Sequence, residues 1–265
     1  MGLMDFLRRV PKTPPPSNMA MAMVMLEPGE TFRPGDLAAH ARERWPEAPA
    51  LGGITGDGDT ATGLDTSDKV LMMHMPMPIP PPSLEGPIAL AWHWRGAREE
   101  VARHRSHIVA TISSDSASPF ALRTLHTKLL ASILATHPSI GVYVGDATLI
   151  RRASHVLKDA DEMTSRPPLF SWISVCPVAM PSRKATAYTK GLTWFGLREL
   201  EVRECSMPFK ELVGRLADTA SYQVRHNLQI AHGHTVGDSA TERIPVTHER
   251  SMFVPRMPVA RIAFP

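Results

Sequence analysis

Cysteine, aromatic residues and long apolar runs are all scarce in this sequence. Two cysteines in 265 residues, Cys176 and Cys205, are too few and too far apart for a disulfide framework or a zinc site. No apolar run reaches the roughly 18 residues that span a bilayer. The opening MGLMDFLRRV places its arginines after the apolar stretch, unlike a secretory signal. We therefore expect a cytoplasmic protein without a membrane partner.

An excess of charge and the common enzyme motifs are missing as well. The formal net charge of +3 is too small and too dispersed to indicate a nucleic-acid partner. The chain has no G-x-S-x-G elbow, no Walker loop and no G-x-G-x-x-G after a strand. The glycine-rich run at 52–58 lacks the Lys-Ser/Thr of a phosphate loop and is typical of a hairpin. We expect no cofactor and have no basis to assign catalytic residues.

Proline is abundant, with 25 residues, and it indicates where the chain is divided. The run PKTPPPSN at 11–18 cannot form a helix or a central strand, because proline lacks the backbone donor and fixes φ. We interpret residues 1–18 as a mobile tail and linker. Residues 19–265 are then either one α+β body or two packed subdomains, at about 19–115 and 116–265.

Methionine alternates with small apolar residues in Met19–Leu26. In a strand, the methionines would share one face, and the alanines, Val24 and Leu26 would share the other. Both faces are apolar. This pattern predicts a central strand that is covered on both sides, or a strand at an interface.

Helix and strand patterns alternate along the rest of the chain. We predict helices at 34–45, 88–104, 118–133, about 148–158 and from 208, and strands at 70–75, 107–112, 140–144, 170–178, 185–195, 199–203, 228–231, 243–246 and 259–264. The first half has the β-α-β-β-α-β order of a ferredoxin-like unit. We expect an α+β fold with mixed or antiparallel sheets and helices packed on one face.

A stretch beginning at Tyr188 resembles a known signature. The run YTKGLTWFGLRELE is similar to the Y-T-x-G-[LM]-x-x-F-G-x-x-E-x-E pattern of an uncharacterised bacterial domain family. Three further stretches resemble the same family in the same order: MPMPIP at 75–80, Trp92 with Val101, His104 and His107, and GHTVG at 233–237. The resemblance covers about 19–264. It implies a soluble, single-module bacterial protein of mixed α and β structure, and no activity.

Two carboxylates lie two residues apart within that signature. In a strand, Glu199 and Glu201 point to the same side, where they would form an acid/base pair or a cation site. The more common explanation is a solvated strand face. With Tyr188 at the start of the signature, they are tentative binding residues.

His104 and His107 are a second candidate. On a helix their spacing suits a metal, but the adjacent arginines oppose a cation and a third ligand is missing. A helix C-terminus, with His104 as a cap or packing residue, is the simpler interpretation. We predict no metal site here and keep both histidines as tentative binding residues.

Methionine and histidine also suggest a metal-handling alternative. Met19, 21, 23 and 25 and Met72, 73, 75 and 77, with His74, place soft donors at strand spacing, and such donors select cuprous copper. Methionine equally packs irregular cores and adaptable binding faces. We favour packing or an interface.

Our leading hypothesis is a non-enzymatic module that binds another protein. Small bacterial α+β proteins without catalytic motifs often act as immunity or accessory proteins of toxin or secretion loci, so a toxin or secretion component is a possible partner. Trp92 and Trp94, with the methionine strands, supply side chains that interfaces favour. The main alternative is an enzyme or small-ligand binder with a cleft built from His104, Glu199 and Glu201. A broad exposed apolar patch would favour the first and a water-filled concavity the second.

Overall fold

The chain folds as two compact units, each with its own sheet. The computed structural model describes residues 12–163, 166–180, 184–239 and 241–265. The first unit comprises residues 17–172, and the second comprises 173–265 with the described stretch up to residue 16. The chain therefore divides after residue 172 and not near residue 115. Most of the predicted mobile tail, residues 1–11, lies outside the described residues.

The first unit contains a seven-stranded antiparallel sheet with the order β2-β3-β4-β5-β1-β6-β7. Its strands are β1 (Met19–Leu26), β2 (Thr55–Asp57), β3 (Thr60–Leu64), β4 (Asp68–Met75), β5 (His107–Ser114), β6 (Ser139–Val144) and β7 (Leu149–Arg152). Its helices are α1 (Pro34–Arg44), α2 (Pro49–Gly52), α3 (Pro81–Leu90), α4 (Ala97–Val101), α5 (Pro119–Thr136) and α6 (Ala153–Asp161).

The predicted ferredoxin-like order is confirmed in this unit. Strands β1, β4, β5 and β6 are the four strands of the split unit, and in the sheet they lie in the order β4-β5-β1-β6. Helices α1 and α5 are the two crossovers and contact each other. The hairpin β2–β3 extends the sheet at one edge, and β7 extends it at the other.

The central strand β1 shows why one face of this sheet takes the helices. Ala20, Ala22 and Val24 are buried and point to the face that α5 crosses. The helix begins where sequence predicts, because the Ser118 hydroxyl accepts a hydrogen bond from the amide of Ala121 at 3.2 Å. Small side chains on the strand let the helix approach closely.

The opposite face of the sheet is covered only in part. Residues 79–101, which include α3 and α4, pack over Met25 and the β6–β7 end of the sheet. Trp94 fits against Gly141, where an added Cβ atom would lie 2.8 Å from the indole ring. Helices therefore occur on both faces of this sheet, and Met25 is buried beneath the second set.

The second unit contains a six-stranded sheet with the order β11-β12-β13-β10-β9-β8. Its elements are β8 (Ser174–Pro177), β9 (Ala185–Lys190), β10 (Glu199–Cys205), α7 (Phe209–His226), β11 (Thr235–Val236), β12 (Ile244–Arg250) and β13 (Pro258–Ile262). The β10–β13 pair is parallel and the other pairs are antiparallel. Leu212, Leu216 and Ala220 form the buried stripe of α7, which contacts β8 and β9. The α+β fold class is confirmed.

Several predicted elements differ from those in the structure, and the strands expected at 170–178 and 185–195 are shorter, at Ser174–Pro177 and Ala185–Lys190. The helix expected at 88–104 is two helices, because Gly96 takes a φ of 83° between them. The segment expected as a helix at 148–158 begins as strand β7. The strand expected at 228–231 is irregular, after Asn227 ends α7 in a left-handed conformation.

Candidate functional site

One part of the first sheet presents an apolar surface to solvent. Three cross-strand rows lie on the side of the sheet opposite α5, each with one residue from β1, β5 and β4. We call these nine residues the open face: Met19, Ser113 and Lys69; Met21, Thr111 and Leu71; Met23, Val109 and Met73. The rows follow from the strand register, since side chains in line across a sheet share a face.

The centre of the open face is hydrophobic and accessible. Met21 and Met73 are each 41% exposed, and Met19 and Leu71 are exposed to a similar degree. Met23 is half-buried, because it packs against the segment that covers Met25. Strand β1 lies between β5 and β6, so the prediction that it is a central strand is confirmed. The prediction that both of its faces are covered is wrong at Met19 and Met21, which are exposed. The alternative prediction, a strand at an interface, stays open.

The periphery of the open face is mostly polar, apart from the exposed Leu64 beside Lys69. Exposed Thr60 and Thr62 of β3 lie beside Met73 and Leu71 in the register. Lys69 forms an exposed ion pair with Asp115 at 3.0 Å. An apolar centre with a polar rim is the usual composition of a protein interface.

The two predicted interface tryptophans have different environments. Trp94 is buried in the core beneath α3 and α4, and the Arg152 guanidinium lies 5.4 Å from its ring centre. Trp92 is 46% exposed. Only Trp92 remains accessible as a binding residue.

Both candidate histidines hold one proline-rich segment. His104 Nε2 accepts a hydrogen bond from the amide of Ile79 at 2.8 Å, and His104 Nδ1 donates to the carbonyl of Val101 at the end of α4. His107 Nδ1 donates to the carbonyl of Met77 at 2.9 Å, and burial lowers the pKa of His107. The prolines around Ile79 have no backbone N–H to donate. The two imidazoles hold this segment through the amide of Ile79 and the carbonyl of Met77. The cap interpretation of His104 is confirmed.

Glu199 is the centre of the YTKGLTWFGLRELE signature. Its carboxylate accepts hydrogen bonds from the Thr189 hydroxyl at 2.8 Å, the Gly191 amide at 2.9 Å, and the Thr193 amide and hydroxyl at 3.0 and 3.1 Å. Gly191 takes a φ of 117°, which favours glycine, and so turns its amide into the cluster. The signature therefore encodes a turn that is built around one buried carboxylate.

Glu201 anchors a different loop. It accepts from Arg203 Nε at 2.6 Å, from the Ser251 hydroxyl at 2.5 Å and from the amide of Met252 at 3.2 Å. Glu199 and Glu201 are 1% and 0% exposed, so the expected solvated strand face is wrong. Buried carboxylates of this kind are retained only when hydrogen-bonded, and these are. We find no geometry here for an acid/base pair.

Tyr188 lies opposite Glu201 in the β9–β10 register. Its ring stacks on Phe253 at 5.9 Å, and its hydroxyl interacts with the thiol of Cys176. Burial raises the pKa of both groups to about 12. Both groups therefore stay protonated at neutral pH, and Cys176 is the buried small residue that the sequence suggests.

The first unit also contains a polar cluster that no sequence motif predicts. Asp159 accepts hydrogen bonds from Arg151 Nη2 at 2.9 Å and from the Ser171 hydroxyl at 2.6 Å. His93 lies near Arg151 and His155, and its pKa is lowered to about 4, first by burial and then by those charges. Ser171 donates to the aspartate and not to a histidine, so the cluster does not form a Ser-His-Asp relay. Only the Trp-His-Trp run at 92–94 signals it.

The described residues contain no group of three or more His, Cys, Asp or Glu side chains placed to hold a metal ion. Among them, too, no helix has both the length and the apolarity needed to cross a bilayer.

The two sheets with their helices define an α+β protein, and the buried Glu199 turn lies in its second unit. Residues 188–263 match the model of a family described as a domain of unknown function (DUF4261). The predicted resemblance to an uncharacterised domain family is thus confirmed, and the match begins at Tyr188. It covers most of the second unit, whereas residues 19–187 lie outside it. No curated protein and no solved structure matches the chain.

Proposed function

We propose that this protein is a non-enzymatic, cytoplasmic module that binds another protein through the open face. The observation that carries the proposal is the accessible apolar centre formed by Met19, Met21, Leu71 and Met73. Contiguous exposed apolar surface of this kind marks interaction sites on folded proteins. Methionine is suited to the task, because its flexible thioether adapts to different partner shapes.

The partner surface that fits best is the apolar side of an amphipathic helix. The open face spans three strands, β1, β5 and β4, and with roughly 4.8 Å between strands its width matches a helix diameter of about 10 Å. The other side of β1 and β5 already accommodates a helix, α5. The rim of threonines and the Lys69–Asp115 pair leaves little net charge, so hydrophobic contact would dominate.

The test compares capture by wild-type protein and by a Met21→Lys/Met73→Lys variant. Both positions are exposed, so the variant should fold, while two charges in the centre should weaken partner binding by about 2 kcal/mol or more. The matched control is Met252→Lys, an exposed methionine of the second unit. A native-host protein captured by wild type and control but not by the double variant is then purified, and its affinity is measured by calorimetry.

Capture that is equal for all three proteins would contradict the proposal. So would a purified partner whose affinity is unchanged by the two lysines. A partner of the immunity or accessory type is a narrower hypothesis, and its support is the absence of enzyme motifs. A toxin or secretion gene adjacent to this one would favour it, and a metabolic operon would count against it.

A further inference from the structure

The second unit contains a cleft that is independent of the open face. It has a volume of about 450 Å³ and lies between α7, the turn after it and the β11 strand. Its walls include Tyr222, Leu228, Ile230, Val236 and Phe264. A cavity of several hundred Å³ with mostly apolar walls and a few polar groups is the usual form of a small-molecule site.

The GHTVG run forms one wall of the cleft. Gly233 takes a φ of 82°, and its amide donates to the carbonyl of Val246 at 2.9 Å. An added Cβ atom at Gly237 would lie 2.6 Å from the carbonyl oxygen of Glu242. Both glycines are thus required for the path of the chain, which brings His234, Thr235 and Val236 to the cleft.

The charges in the cleft are unequal. Arg215 is paired with Asp238 at 3.1 Å and with Glu242, and its guanidinium also lies over the ring of Phe264. Asp218, one turn further along α7, lines the cleft and forms no ion pair among the described residues. The guanidinium of Arg215 is therefore already neutralised, whereas the carboxylate of Asp218 lies exposed at the cleft without an ion-pair partner among the described residues.

We infer that this cleft binds a small organic amine, with an aromatic or aliphatic body against Tyr222 and Leu228 and its ammonium group on Asp218. Tyr222 and Leu228 are accessible, at 52% and 45%, so a ligand would bury them. The ammonium gains a charge-assisted hydrogen bond, which is stronger than a neutral one. The cleft volume accommodates a ligand of the size of an arylalkylamine.

Three indole probes of matched shape test the inference by calorimetry on the full chain. They are tryptamine, the uncharged 3-ethylindole and the anionic indole-3-propionate. We expect affinity to decrease in that order, and Asp218→Asn to weaken tryptamine about tenfold while leaving 3-ethylindole unchanged. Tyr222→Ala should weaken the binding of tryptamine and of 3-ethylindole to the same extent, because it removes part of the apolar wall that both ligands contact. The control is Glu211→Gln, which makes the same charge change two turns earlier on α7, outside the cleft.

Three results would overturn the inference: no binding of any probe at millimolar concentration, propionate binding as tightly as tryptamine, or equal affinities for wild type and Asp218→Asn. Thermal melts verify that each variant is folded. The Met21→Lys/Met73→Lys variant should bind tryptamine normally, so failure of the cleft and failure of the open face are distinguishable.

Discussion

The hydroxyl of Thr189 lies 2.8 Å from Oε2 of Glu199 and 2.8 Å from the amide nitrogen of Leu200. It donates to the carboxylate and accepts from the amide, and so joins the ends of two adjacent strands through one side chain. The carboxylate in turn holds the turn between those strands. The contacts of the YTKGLTWFGLRELE run are therefore explained by folding, and the run lies at the start of the match to a domain family of unknown function.

Removing this carboxylate should destabilise the second unit. Glu199→Ala leaves the donors of Thr189, Gly191 and Thr193 buried without an acceptor, and we expect a loss of roughly 2–5 kcal/mol in the free energy of unfolding. Urea denaturation followed by fluorescence measures it. The exposed Glu211→Ala serves as control. An unchanged unfolding free energy in Glu199→Ala would refute the structural role.

The two faces of β1 should respond oppositely to charge. Val24 is fully buried, so Val24→Asp places an uncompensated carboxylate in the core and should prevent cooperative folding. Met21 is exposed three positions away, and Met21→Asp should change the melting temperature by only a few degrees, on the order of 1 kcal/mol. Circular dichroism melts of both variants test this. A similar decrease in melting temperature in Val24→Asp and Met21→Asp would mean that the open face is covered.

The sequence predicts elements well where a local signal is strong. Ser118 before Pro119 marks the start of α5, and the apolar spacing in 209–226 marks α7, because both depend on the chain's own period and caps. The split of the helix expected at 88–104 is less visible, since it depends on one glycine in a left-handed conformation. The alternation in Met19–Leu26 identifies the strand but not which face is covered.

Candidate residues were harder to predict, because burial is a property of tertiary structure. Two glutamates at strand spacing suggest a solvent-exposed strand face. Glu199 and Glu201 are instead buried by turns and loops, whose backbone amides donate hydrogen bonds to the carboxylates. His104 was interpretable as a cap because its position after α4 is local. Asp218 and the cleft around it had no sequence signal beyond the GHTVG run, since their walls come from segments far apart along the chain.

Stability should fall as the pH falls through the range of the buried histidines. His126 donates from Nε2 to the carbonyl of Ala110, and burial lowers its pKa to about 3, against roughly 6.5 when unfolded. Between pH 3 and pH 6.5, His126 is protonated in the unfolded chain but not in the folded one. Its contribution to the free energy of unfolding is therefore complete above about pH 6.5 and decreases below it. His126→Gln keeps a hydrogen-bond donor but cannot be protonated in this range. It should reduce the slope of the unfolding free energy against pH by up to about 1.4 kcal/mol per pH unit.

Urea titrations between pH 7 and pH 4 measure this difference. If His126→Gln and wild type have the same pH dependence, protonation of His126 does not limit stability.

Methionine oxidation should report directly on the open face. Under dilute peroxide, Met21 and Met73 should oxidise before Met25 and Met72, which are fully buried. Tandem mass spectrometry of proteolytic peptides separates the neighbouring pair 72 and 73. In denaturant, all four should oxidise at similar rates. Early oxidation of Met25 in the native protein would contradict the burial of Met25 under α3 and α4.

The alternation of β1 separates two kinds of evolutionary constraint within one strand. Ala20 and Ala22 set the distance to α5, so exchange of either for a larger residue is penalised by packing. Met19 and Met21 are exposed on the opposite face, so the distance to α5 does not limit their size. Exchange at the even-numbered positions is thus limited by the helix packed on them, whereas exchange at Met19 and Met21 leaves the packing of that helix unchanged.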